Sequence, residues 1–179
     1  MRNMIWIFPV VSEPQYALGH NPVIYWAMRS QFTTGAPDGC IECRLGADAK
    51  TEHELLTELW NYLTPQIVGR PIAGWRLYDR VWPALINRSI INRVAIPPWA
   101  RHDPSKRWTT LTFFDVFGIF TQGKRLDNHD RDLTLSQILE LWLPDEPLLP
   151  LVADNIIPEH YGCLALDAMQ RVVQLYEAD

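Results

Sequence analysis

The first stretch of this chain limits most sharply what it can become. Residues 4–11 read Met-Ile-Trp-Ile-Phe-Pro-Val-Val, an apolar run of strand length. A run apolar throughout suits the start of a buried sheet, covered on both faces. Yet Pro9 stands inside it, and proline has no N–H to give to a central ladder. Such a residue favours an edge, a strand end or a bulge. The first strand must therefore be buried and interrupted at once, and it carries no carboxylate before Glu13.

The segments that follow supply the rest of a layered fold. Residues 21–32 (NPVIYWAMRSQF) are aromatic and branched and read as a second strand. A turn cluster at 33–39 leads to a third short strand at 40–45. Short connections make antiparallel pairing of the three the simple expectation. Residues 50–65 (KTEHELLTELWNYLTP) predict an amphipathic helix, with Leu55, Leu59, Trp60 and Leu63 on one stripe. Thr51 and Glu54 form its capping box, and Pro65 ends it. A strand broken at Pro71 and ending at Ile72–Trp75 comes next, then helical periodicity from Pro83 to residue 92. A proline-rich basic loop spans 93–108, and residues 109–120 pass from strand to helix near Asp115. Residues 121–132 are polar, and helices are expected at 133–144 and 158–179. The expected class is α/β: three antiparallel N-terminal strands plus parallel strands in one mixed sheet, flanked by helices, in a single domain over 1–179.

No apolar run reaches the length of a membrane span, and no leader segment is evident. Three cysteines do not suggest a disulfide framework, so a reduced, cytoplasmic protein is expected. Cys40 and Cys43 have the spacing of half a zinc site. On a strand, however, residues three apart face opposite ways, so buried structural thiols are the simpler reading. Cys163 beside His160 on a helix admits a nucleophile, but cysteine on an apolar face is usually core.

Charge is unevenly placed. Residues 66–107 hold eight basic residues, Arg70, Arg76, Arg80, Arg88, Arg93, Arg101, Lys106 and Arg107, against two acidic ones, Asp79 and Asp103. Such a segment can attract phosphates or simply form a solvated face. Trp75, Trp82, Trp99 and Trp108 interleave with it, either as core or as base-stacking surfaces. Asp115, at a strand-to-helix corner, and Asp167, in apolar company on the last helix, are the carboxylates to weigh. Each either binds metal or is matched by an N–H or an arginine. Phosphate-loop, dinucleotide, serine-hydrolase and zinc-protease signatures are absent.

Taken in order, these segments resemble the 3′-5′ exonucleases of the DEDD superfamily, which have the ribonuclease-H-like fold. The similarity is greatest to stand-alone relatives of the B-family DNA polymerase proofreading domain. The segment "AGWRLYDRVWPALINR" (73–88) is similar to the family's "vgfNgxxFDlPxLxxR". The corner "FFDVFGIF" and the helix "LTLSQILELWLP" follow in family order. The resemblance implies two-metal phosphodiester hydrolysis, with carboxylates holding magnesium or manganese ions about 4 Å apart. A Tyr or His on the last helix would then orient the attacking water.

Position by position, the family's catalytic set is incomplete. "FPVVSEP" stands against the family's "FDIETVP", placing Pro9 and Val11 where Asp and Glu would hold metal. Arg76 and Val81 fall at the second motif's Asn and Asp, with Asp79 two residues earlier. Asp115 and Asp167 remain, and Cys163 replaces the tyrosine. The leading expectation is a catalytically degenerate, nucleic-acid-binding or scaffold module without cofactor. In it Arg76, Arg80, Arg101, Lys106 and Arg107 would contact the phosphates of a single strand. One alternative is an active exonuclease in which Glu13, Asp79, Asp115 and Asp167 surround magnesium or manganese. Another is a protein-interaction subunit, encoded by a phage or mobile element, that uses an inactive nuclease fold and the acidic 126–179 region as its surface.

Overall fold

The apolar first strand, β1 (Ile5–Val11), lies at the centre of the sheet. In this computed structural model the described residues are 4–12, 21–30, 39–101, 113–121, 134–142, 149 and 156–178. They form a five-stranded mixed sheet of order β3-β2-β1-β4-β5. β2 (Val23–Arg29) and β3 (Cys40–Arg44) continue antiparallel from β1, as the short connections predict. On the other side β4 (Ile72–Gly74) and β5 (Phe113–Asp115) run parallel to β1. The α/β class and the mixed sheet match the sequence expectation, and the arrangement is that of a ribonuclease-H-like fold.

The central position of β1 makes its proline a structural question. β4 registers with β1 only at Ile5 and Trp6. Pro9 comes later, opposite Trp26 of β2, and the β1–β2 register shifts between Val10 and Val11. Pro9 therefore falls past the end of one ladder and beside an irregularity in the other, where a missing N–H is tolerated. At the end of β4 the backbones crowd: a Cβ on Gly74 would lie 2.7 Å from the Ile7 carbonyl oxygen.

Two helical layers bury the sheet, as an apolar central strand requires. Ile5 and Ile7 point into a cluster with Trp26, Met28, Leu55, Leu59, Trp60, Leu77 and Leu85. This cluster is covered by α1 (Glu52–Leu63) and α2 (Trp82–Ile91). Met4, Trp6, Tyr25 and Ala27 point the other way, against Leu135, Leu139, Leu166, Met169 and Val173. There the cover comes from α3 (Val116–Thr121), α4 (Leu135–Trp142) and α5 (Tyr161–Ala178). Period-2 alternation in the strands thus builds two cores from one sheet.

Polar contacts fix the helix positions. Thr51 Oγ1 accepts the Glu54 N–H at 3.2 Å, while Glu54 reaches back to the Lys50 N–H at 2.7 Å. The buried Glu52 accepts the Val23 N–H (2.7 Å), the Arg88 Nε–H (2.9 Å) and the Asn92 amide (2.7 Å), so it joins β2, α1 and α2. Trp60 donates its indole N–H to Ser89 Oγ at 2.9 Å, and the Trp60 ring packs against Trp82 and Trp99. Trp75 packs edge-on against Phe117. Of the interleaved tryptophans, Trp75, Trp82 and Trp99 are therefore packing residues; Trp108 lies outside the described residues. α5 comes so close to β2 that a Cβ on Gly162 would collide with Ala27 and with the Tyr25 hydroxyl, which accepts the Gly162 N–H at 2.9 Å.

The cysteine expectation is corrected. Cys40 and Cys163 form a disulfide with a Cα–Cα distance of 6.0 Å, joining edge strand β3 to the first turn of α5. A pair separated by 123 residues leaves no local sequence pattern, whereas the nearby Cys43 does. The alternation argument does hold: Cys43 faces the α1–α2 core as a buried thiol, which burial, with help from Asp48 and Glu58, pushes up to about 11. No helix among the described residues is long and apolar enough to cross a membrane.

Candidate nucleic-acid interface

Three parallel strands, β1, β4 and β5, bring their C-terminal ends to one rim of the sheet. Crevices outside such ends are the usual ligand positions of α/β sheets. Each strand contributes something different here. β1 supplies Pro9 and Val11, β4 ends at Gly74, and β5 ends at Asp115, which is in register with Gly74.

After Gly74 the chain turns through Trp75 and Arg76 into a single π-helical turn, Leu77–Val81, which feeds α2. Arg76 sits in the left-handed region (φ 50°), an uncommon place for a residue with a side chain. Several contacts hold it there. Its backbone N–H donates to Asp115 Oδ1 at 2.9 Å. Its guanidinium pairs with Asp79 (Nη2–Oδ2 2.5 Å, Nε–Oδ2 3.2 Å) and lies 4.5 Å from the Phe117 ring centroid. π-Turns interrupt regular helices chiefly where function or strain concentrates.

Asp115 gathers this corner. Oδ1 accepts the N–H groups of Arg76 (2.9 Å) and Phe117 (3.1 Å), and Oδ2 accepts that of Tyr78 at 3.3 Å. Burial raises its carboxyl above the ordinary aspartate value, and the charge of Asp79 pushes the same way; the three N–H donors oppose them. The side chain thus caps both the π-turn and the start of α3.

The other residues of interest are placed as follows. Tyr78 is 75% exposed on the π-turn, its ring edge-on to Phe113. Arg76 is buried, Arg80 is half-buried, and exposed Arg101 donates from Nε to the Ile96 carbonyl at 3.0 Å. Asp167 is on α5, on the opposite side of the sheet from α1 and α2, where it pairs with Arg29 of β2. Its side chain is half-exposed (50%), not submerged in apolar company. Asp79 and Asp115 thus meet at the π-turn, while Asp167 is anchored elsewhere. Glu13, Lys106 and Arg107 lie outside the described residues.

The described residues do not by themselves make up the donor set of a two-metal centre. Pro9 and Val11 offer no ligand, Asp79 is matched by Arg76, and both oxygens of Asp115 accept backbone N–H groups. Among the described residues, the group of three metal-ligating side chains with atoms within 4.8 Å of one another is Cys40, Glu42 and Cys163. Sequence reasoning missed Arg29 and Glu42. Arg29 ends the apolar strand β2 and had no motif to mark it. Glu42 lies between Cys40 and Cys43 and alternates onto the face of Cys40.

Comparison with known proteins locates the fold. No family model and no curated protein matches the sequence. The structure is similar to that of the family B DNA polymerase from the hyperthermophilic archaeon Pyrobaculum calidifontis, with a TM-score of 0.55 and 12% sequence identity. The match covers 98% of this chain and 22% of the polymerase, so the chain spans about a fifth of that protein's length. At this identity the likeness is one of fold.

Proposed function

We propose that this chain is a nucleic-acid-binding module built on the 3′-5′ exonuclease-like fold of polymerase proofreading domains, without their two-metal hydrolysis. One observation carries the reading: among the described residues, each carboxylate at a family ligand position or beside one is already matched inside the chain. Asp115 is held by three N–H groups, Asp79 by Arg76 and Asp167 by Arg29. The first-strand positions are apolar. An arginine at the rim and few free carboxylates disfavour divalent ions but reduce repulsion toward a phosphate backbone. Exposed Tyr78 offers a face for a base, and Arg80, Arg101, Lys106 and Arg107 supply cations for phosphates.

The test is fluorescence anisotropy on labelled single-stranded DNA and RNA across a salt series, run beside a 3′-shortening assay with magnesium or manganese. The expected result is binding that weakens as salt rises, with no shortening. Absence of binding at low salt overturns the proposal. So does 3′ shortening that Asp79→Ala or Asp167→Ala abolishes. A second reading, a rearranged metal site, draws support from the closeness of Asp79 to Asp115, which a cation between them would relieve. A manganese-soaked crystal with an ion bound by both carboxylates would favour it.

A further inference from the structure

The group formed by Cys40, Glu42 and Cys163 lies outside the rim site and has its own chemistry. Cys40 and Glu42 share one face of edge strand β3, and Cys163 comes from the first turn of α5. Their ligand atoms all lie within 4.8 Å of one another, and all three residues are only partly buried. Several contacts hold Glu42: Oε1 accepts the Cys163 N–H at 3.3 Å, Oε2 lies 3.4 Å from Arg44 Nη2, and the Tyr25 hydroxyl hydrogen-bonds the carboxylate. Arg44 is itself fixed by donating to the Pro158 carbonyl at 3.2 Å.

We propose that these residues form a two-state thiol site, a disulfide when oxidised and a three-ligand site for zinc or a similar borderline-soft divalent ion when reduced. Reduction breaks the S–S bond to give two thiols: a dithiol supplies two electrons and two protons and becomes a disulfide, whereas a phosphine supplies two electrons and becomes the phosphine oxide, water giving the oxygen and both protons. Metal binding then releases two protons as both sulfurs become thiolates. Freed from their bond, two sulfurs must move apart to at least van der Waals distance. Tetrahedral zinc, with Zn–S bonds of about 2.3 Å, separates its sulfur ligands by roughly 3.8 Å. Glu42 Oε supplies the third ligand, already within 4.8 Å of both sulfurs. Two thiolates and a carboxylate leave a net negative charge around a divalent ion, and Arg44 stands beside Glu42 to balance it. Sulfur ligands favour zinc-class ions over magnesium, and water completes the coordination. The inference is independent of the nucleic-acid reading.

The experiment uses the full chain reduced with a phosphine, freed of metal, and titrated with zinc against a chromogenic chelator. One zinc per chain is expected in the reduced protein and none in the oxidised protein. Cys40→Ser and Cys163→Ser should each weaken binding by about 100-fold or more, and Glu42→Gln by at least about tenfold. Cys43→Ser, on the opposite face, should leave zinc affinity unchanged. Cobalt, read by its thiolate-to-metal charge-transfer band on the unmutated chain, gives a check that needs no variant. Zinc should also protect Cys40 and Cys163 from alkylation, as mapped by mass spectrometry. Failure of the reduced protein to bind zinc overturns the proposal. Equal binding by the oxidised protein or by Cys40→Ser, a cobalt complex without the thiolate band, or loss of binding in Cys43→Ser does the same.

Discussion

Replacing Asp115 with alanine removes the acceptor for three N–H groups at once. Two bonds run to Oδ1, at 2.9 and 3.1 Å, and one to Oδ2 at 3.3 Å. At about 1 kcal/mol for each short bond, less for the long one, and a further cost for N–H groups left unmatched at a half-buried corner, the loss is about 3 kcal/mol. For a chain of this size that lowers the melting temperature by roughly 6–12 °C. Asparagine is the discriminating partner. With its carbonyl oxygen in the place of Oδ1 it keeps the Arg76 and Phe117 bonds and gives up only the Tyr78 bond, a cost of about 1 kcal/mol. Urea unfolding of both variants at neutral pH, at fixed redox state, measures the pair. Asp115→Ala unfolding with wild-type stability would refute the capping role. So would Asp115→Asn falling as far as alanine, since the charge and not the acceptor geometry would then matter.

The same residue sets a pH dependence. Burial holds its carboxyl above the ordinary value of 3.8, so the folded chain binds this proton more tightly than the unfolded chain does. Its contribution is fully present below that value and lost as pH rises through the folded value; the stability of wild type relative to Asp115→Asn should fall across that acidic window in a series of urea midpoints. Gly162→Ala should cost about 3 kcal/mol or more in chemical denaturation, because its methyl group would occupy the space of Ala27 and the Tyr25 hydroxyl. Arg88→Met leaves Glu52 buried without its cation and should cost about 3–5 kcal/mol; adding Glu52→Gln should recover part of it, as a double-mutant cycle would show.

What could be read in advance was local or periodic. The Thr51–Glu54 cap, the apolar stripe of α1 and the pleat that sets Cys40 against Cys43 depend on residues a few positions apart. Short connections settled the antiparallel half of the sheet for the same reason. The features that escaped depend on distant partners. Pro9 suits a central strand because β4 stops before reaching it and the β1–β2 register shifts just after it. Glu52, in the first turn of α1, is buried because Arg88 and Val23, both distant in sequence, meet it. At the candidate site the sequence already shows that Pro9, Val11 and Arg76 bring no carboxylate to the rim. That Asp115 caps a π-turn was not legible, because the turn depends on Arg76 adopting a left-handed backbone that its residue type does not announce.

The Cys40–Cys163 bond also has a topological consequence. The chain between these residues is a closed covalent ring that holds β3, α1, β4, α2, β5, α3 and α4, while β1 and β2 stay outside it and are held by ladder hydrogen bonds, packing and side-chain contacts alone. Closing a ring of that size removes enough disorder from the unfolded chain to favour the folded one by about 5 kcal/mol. A single protease cut inside the ring would leave two fragments tied together. The same cut after reduction would let them part, so the migration of nicked protein with and without reductant reports directly on whether the ring is closed.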